Sequence, residues 1–273
     1  MELTSVIDGT HNARDLGGIT LDGGAVVAPG VVYRSDALAT LTPAGVQALL
    51  DLRIGTAIDL RTDSERLRAP DVLPAGGETR LVELSILGGA MDELVKQLLP
   101  SGDRAALSQE QIAALVEQIP TLEELYVAIL QSSAPQFAQV ARAVAESVGT
   151  ERPAVLFHCT AGKDRTGIAA ALLLSIAGAD RDAIVADYEL TQANLAGAFA
   201  DALTGLITQL GIPLVPRLET LATKSPASAI TAALDWVDAN HGDAAGYLRS
   251  GGLTDAELAS VRGALRQERT PPE

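Results

Sequence analysis

One stretch limits the folds open to this chain more than any other. Residues 154–157 are apolar, residues 158–167 read His-Cys-Thr-Ala-Gly-Lys-Asp-Arg-Thr-Gly, and residues 168–176 are apolar again except for Ser175. The flanking runs read as a buried strand and a buried helix. A loop this rich in charge is costly beside a buried strand unless it opens onto a cleft or a ligand. Strand, tight glycine-containing loop and helix N-terminus together make an anion cradle: backbone N–H groups converge and the helix dipole adds positive potential. The rest of the chain must be built around this unit.

The loop holds the only cysteine of the chain, Cys159, with Arg165 six positions later. A lone intracellular cysteine is more often a buried core residue, but that reading accounts for the apolar flanks and not for the charged run. The field of a helix N-terminus with cationic neighbours lowers a thiol pKa to roughly 3.5–7.5. A thiolate in an anion cradle can open a phosphate ester through a covalent intermediate. In that chemistry Cys159 attacks phosphorus and the planar fork of Arg165 grips two equatorial oxygens, which a lysine cannot do. The amides of residues 160–165, those of Thr160, Ala161, Gly162 and Lys163 among them, share the developing charge. Thr166 either offers its hydroxyl to the Cys159 sulfur or serves only as a first-turn helix residue. His158 either orients the loop through backbone contacts or is a buried spacer.

The string HCTAGKDRTG resembles the signature of cysteine-dependent protein tyrosine phosphatases, and in particular the mycobacterial PtpB-like bacterial subgroup. Asn12, Arg14 and Asp15 in HNARDLGG, the YRSD at 33–36 and the IDLR at 58–61 resemble that subgroup's N-terminal pattern; DRDAIVADY at 180–188 and GYLR at 246–249 resemble its C-terminal half. The resemblance implies a tyrosine-phosphatase-like α/β fold with a mixed central sheet flanked by helices. It implies hydrolysis of phosphotyrosine, and of phosphoserine/threonine or phosphoinositide monoesters, through a phosphocysteine. Many members draw the leaving-group proton from an aspartate on a separate loop, yet no aspartate lies between Asp103 and Asp164. The role therefore moves to Asp164, as in the subgroup's Lys-Asp-Arg arrangement. Asp59 is the runner-up, although an ion pair with Arg61 or Arg53 is the favoured reading of it. Asp71, after Ala69-Pro70, lies too far upstream for a mobile acid loop, and Glu123 and Glu124 read as helix surface charge. Lys163 either sets the field at Cys159 or, as in phosphoinositide phosphatases, binds a further phosphate.

The formal charge of −15 argues against nucleic acid as a partner. A phosphorylated protein or phosphoinositide substrate then needs a local positive site, for which Lys163, Arg165, Arg14 and Arg61 are the candidates. With one cysteine there is no disulfide framework and no resolving thiol, although a sulfenamide remains open to Cys159. His11, His158 and His241 show no metal-ligand spacing, and no cofactor is expected. Gly162-Lys163 is followed by Asp164, which excludes the nucleotide-binding P-loop pattern. A sulfurtransferase is disfavoured because sulfur transfer does not require Arg165 and Asp164 together, and an arsenate reductase because arsenate reduction usually needs more thiols than this chain has. A catalytically inactive phosphate-binding module has no need of both Cys159 and Arg165. No signal peptide is read at the N-terminus, and the apolar run at 168–179 is too short for stable membrane insertion. The cytoplasm is the default location, and the resemblance adds secretion without a signal peptide.

No linker or repeat divides the 273 residues, so one domain is expected. The first 35 residues read as a hairpin of 19–21 with 31–34. Thr42-Pro43 reads as a helix start, 56–60, 80–84 and 152–158 as strands, 90–148 as mainly helical, and nearly everything beyond 166 as helical. Early strands and late helices around one strand–loop–helix fit a mixed α/β sheet. Leu195, Phe199, Leu203, Leu206 and Leu210 recur at helical spacing. Periodicity alone favours a permanently packed helix there; the resemblance implies a mobile helical lid over about 195–225.

Overall fold

The computed structural model describes residues 5–86, 110, 114, 118–209 and 213–268. The strands are β1 (Arg14–Asp15), β2 (Val26–Val27), β3 (Val32–Ser35), β4 (Ile54–Asp59), β5 (Arg80–Glu83), β6 (Ala154–His158) and β7 (Arg266–Gln267). The helices before β6 are α1 (Pro43–Asp51), α2 (Asp63–Arg68), α3 (Leu122–Ser132) and α4 (Ala134–Ser147). After it come α5 (Asp164–Ala177), α6 (Arg181–Asn194), α7 (Ala198–Gln209), α8 (Pro216–Thr223), α9 (Ala227–His241), α10 (Ala244–Ser250) and α11 (Asp255–Leu265).

The central sheet runs β1-β3-β6-β4-β5, with β3, β6, β4 and β5 parallel and β1 antiparallel to β3. All five residues of β6 are buried, as a strand covered on both faces must be. Val155 and Phe157 face a large core shared with α3–α6 and α9–α11, while Ala154 and Leu156 face a smaller one with Leu38, Leu49 and Ala57. This alternation is the period-two geometry of a strand. The register pairs His158 with Ser35 on one side and Asp59 on the other. Three parallel strands thus end level, and the segments that follow them are joined at their carboxyl ends, Ala37 N donating to Thr160 O and Leu60 N to His158 O, the end of a parallel sheet at which ligands are bound.

The hairpin expected from 19–21 and 31–34 does not form. The four residues of β3 are all buried, and a strand held between β1 and β6 has no free edge for it; Thr20 bridges Val26 and Leu21 bridges Ala179 instead. Thr42 caps α1 by accepting from the Gly45 amide, with Pro43 following. The helical expectation over 90–148 is met by α3 and α4, and its part at 90–109, with Pro100, lies outside the described residues. Helix α7 packs chiefly against α8. Leu195 is buried and Phe199 and Leu203 half-buried. The Leu206 side chain and Leu210 lie outside the described residues.

Candidate active site

Cys159 follows the last residue of β6 and is 2% exposed. The loop turns back at Gly162, whose φ is +65° and where a Cβ would lie 2.4 Å from the Ser35 carbonyl oxygen. Both facts require glycine. The loop's carbonyls are held from outside. Ala37 N donates to Thr160 O (3.1 Å), Asn12 Nδ2 to Ala161 O (3.2 Å) and Gly162 O (3.0 Å), and Arg34 Nη2 to Gly162 O (2.8 Å). The amides of residues 160–166 have no acceptor among the described residues. Bound carbonyls and free amides are the polarity an anion site needs.

The holding residues form a buried network of their own. Asp187 of α6 accepts from Arg14 Nε (2.8 Å) and Arg34 Nη1 (2.5 Å). Arg14 also reaches Asn12 Oδ1 and Thr191. Burial pushes the Asp187 carboxyl up, but the charges and hydrogen bonds of Arg34 and Arg14 outweigh it and hold the group below its ordinary range. Arg14 is lowered to about 10, first by burial and then by the charge of Arg34. Asp36 accepts from the amides of His11 and Asn12, bonds that only partly offset the burial raising its pKa.

Arg165 stands on the first turn of α5, where Glu65 of α2 grips it end-on: Nη1 to Oε2 at 2.8 Å and Nη2 to Oε1 at 2.7 Å. Glu65 also closes the α2 capping box with Thr62 and accepts from Thr160 Oγ1. Although burial opposes it, Arg165 holds Glu65 well below the usual carboxylate range. Burial likewise opposes ionisation of Arg165, which Glu65 and the charge of Cys159 nonetheless push above its ordinary value. The Arg165 Nε has no partner among the described residues.

Asp164 lies on the other side of the loop. Tyr126 of α3 donates to its Oδ1 at 2.8 Å, and Lys163 Nζ is 3.5 Å from the same oxygen. Burial, and then the charge of Asp164, raise the Tyr126 phenol well above its ordinary pKa, so it donates rather than ionises. Lys163 is buried, and its ammonium donates to Leu221 O (2.5 Å) and Lys224 O (3.1 Å) at the C-terminal end of α8. The carbonyl end of a helix is where a cation is favoured. Thr166 Oγ1 is buried and has no hydrogen-bond partner among the described residues, so a bond to the Cys159 sulfur is not formed.

The remaining expectations place elsewhere. Arg14 is engaged by Asp187, and Arg61 by Asp59 (2.8 Å) and Asp71 (2.7 Å), so neither is a free cation at the loop. Asp59 is fully buried under Arg61, whereas Arg53 donates to Glu151 O; of the two pairs foreseen for Asp59, that with Arg61 forms. His158 lies between Cys159 O (Nδ1, 3.3 Å) and Asp71 Oδ2 (Nε2, 3.1 Å). Ligand atoms of Asp59, Asp71 and His158 come within 4.8 Å of one another, a set absent from the histidine spacing. The guanidinium of Arg61 already bridges both carboxylates and is the cation of that cluster. Sequence reasoning missed Glu65, Tyr126, Tyr188, Arg34 and Asp187. Thr62-x-x-Glu65 is a legible capping box, and Arg34 and Asp187 sit inside segments quoted only for their resemblance.

A model of the tyrosine phosphatase family matches residues 5–267. A protein of Cupriavidus necator with a provisional tyrosine-protein phosphatase name is 31% identical, over 94% of this chain and 86% of its own. A tyrosine-protein phosphatase of Nostoc commune is 32% identical, over 93% and 85%. The triple specificity protein phosphatase PtpB of Mycobacterium tuberculosis is 29% identical, over 95% and 98%.

Proposed function

The chain belongs to the tyrosine phosphatase family and is a protein-tyrosine phosphatase, and from that premise we propose how its residues divide the reaction. The Cys159 thiolate attacks phosphorus in line; an S–P bond forms as the bond from phosphorus to the tyrosine oxygen breaks. Loop amides and the free Nε edge of Arg165 hold the equatorial oxygens. Asp164 protonates the departing phenolate, a contribution of ~10²–10⁴-fold. It then takes a proton from the water that attacks the phosphocysteine, releasing phosphate and restoring the thiolate. Glu65 keeps Arg165 aimed. The observation that carries this reading is the loop of unengaged amides around a buried cysteine with Arg165 clamped beside it.

The 1–273 chain acts as one domain in this proposal, with α7 and α8 as a lid latched to the loop by Lys163. The substrate range extends to phosphoserine/threonine and phosphoinositide monoesters. The name of the PtpB relative supports that breadth; release of Lys163 from its two carbonyls supplies the extra cation. Phosphate release from phosphotyrosine peptide, phosphoserine peptide and phosphoinositide by wild type and Cys159→Ser tests both parts. Turnover surviving in the variant overturns the mechanism, and turnover of phosphotyrosine alone overturns the range.

A further inference from the structure

The hydrogen bonds at Asp164 are one-sided. Tyr126 Oη (2.8 Å) and Lys163 Nζ (3.5 Å) both address Oδ1, and no donor among the described residues reaches Oδ2. Tyr126 in turn lies 2.7 Å from the Tyr188 hydroxyl, with the two rings edge-on at 6.0 Å. A phenol has one proton to give. Tyr126 gives its own to Asp164, so Tyr188 must be the donor in the contact between them. The chain is directional: Tyr188 to Tyr126 to Asp164. Both rings are fully buried. Tyr188 is seated against Gly167, where a Cβ would come 3.1 Å from its ring, so the pair is fixed from behind.

We infer that Tyr126, with Tyr188 behind it, is a positioning residue for proton transfer: it occupies Oδ1 of Asp164, leaving Oδ2 as the oxygen that carries the proton to the leaving group. The inference rests on the reading of Asp164 as the proton donor. In the protonated carboxyl, Oδ1 is the carbonyl oxygen and still accepts from Tyr126, so the Oδ2–H bond keeps one direction in both protonation states. That is the fixed geometry a general acid requires. Without the phenol the carboxyl can turn, and the proton is offered over a spread of angles.

A series of aryl phosphates separates this role from a structural one. The p-nitrophenolate needs little protonation on leaving, whereas phenolate needs it badly. Tyr126→Phe keeps the ring and is expected to slow phenyl phosphate about tenfold more than p-nitrophenyl phosphate. Competitive inhibition by inorganic phosphate should stay within about twofold, since the cradle is untouched. Tyr188→Phe should show the same tilt, smaller, and serves as the test if Tyr126→Phe folds poorly. An equal loss on both substrates, or no loss, overturns the inference. Asp164→Asn run beside them keeps the two readings apart. If it too lacks the tilt, the assignment of Asp164 as acid has failed; if it shows the tilt and the tyrosine variants do not, only the positioning role has.

Discussion

Removing the Asp187 carboxylate should injure both the fold and the phosphate loop. The group is almost fully buried and is the shared counter-ion of Arg34, which is 0% exposed, and Arg14, which is 13% exposed. Breaking a buried pair by deleting one partner costs ~3–5 kcal/mol, because the other charge is left uncompensated. Arg14 keeps Asn12, Thr191 and the Asp187 carbonyl, and Arg34 keeps Gly162 O, which places Asp187→Ala near the lower end, at about 3 kcal/mol. For a chain of this size each kcal/mol lowers Tm by about 2–4 °C, so a fall of roughly 6–12 °C is expected in thermal unfolding followed by circular dichroism. Arg34 then anchors Gly162 with only the long contact to Thr191 Oγ1 (3.4 Å) to steady it. Losing about 1 kcal/mol of loop order would weaken inhibition by inorganic phosphate about fivefold. The pH dependence carries the sign. The folded pKa of Asp187 is depressed, so its contribution is complete above the unfolded value of about 3.9 and is lost as pH falls through the folded one. Wild-type and variant stabilities should therefore converge on acidification. A Tm within 2 °C of wild type at neutral pH, with unchanged phosphate inhibition, would refute the reasoning.

Three further outcomes are expected. Gly162→Ala places a methyl 2.4 Å from Ser35 O at a φ of +65°; kcat/KM should fall at least a hundredfold while far-ultraviolet dichroism stays native, and near-normal turnover would show that the loop tolerates another path. Glu65→Gln retains a cap for α2 but weakens the clamp on Arg165, so kcat/KM should drop about tenfold to a hundredfold with Tm shifted by only a few degrees; an unchanged kcat/KM would mean Arg165 aims itself. Lys163→Met releases the two carbonyls at the end of α8 and should speed peroxide inactivation of Cys159 several-fold, and equal rates would rule out a latch.

What the sequence made legible is the local part. The apolar–charged–apolar order at 154–176 located β6, the loop and α5, and Thr42-Pro43 located α1, because caps, glycines and apolar runs act over a few residues. The aspartate-free interval before the loop pointed to Asp164, which the fold sets against Tyr126. The illegible part is long-range. Glu65 lies 100 positions from Arg165 and Asp187 153 positions from Arg34. No periodicity links such pairs; the sheet order does, by ending β3, β6 and β4 level. The same cause misled the reading of Arg14, whose charge looks available along the chain and is taken up by Asp187, 173 positions away; the pairing of Arg61 with Asp59, two positions away, was legible in the sequence. The hairpin failed similarly, since β3 finds its neighbours at β1 and β6 rather than in the next turn.

Glu65 caps α2 with one oxygen and steadies Arg165 with both. The two tasks are therefore thermodynamically linked. Whatever holds Arg165 still, a bound oxyanion included, also tightens the first turn of α2, and fraying of that turn loosens the grip on the oxyanion by the same free energy. A six-residue surface helix becomes a reporter of occupancy in a site it reaches through Glu65: the exchange of its amides with solvent should slow as phosphate binds.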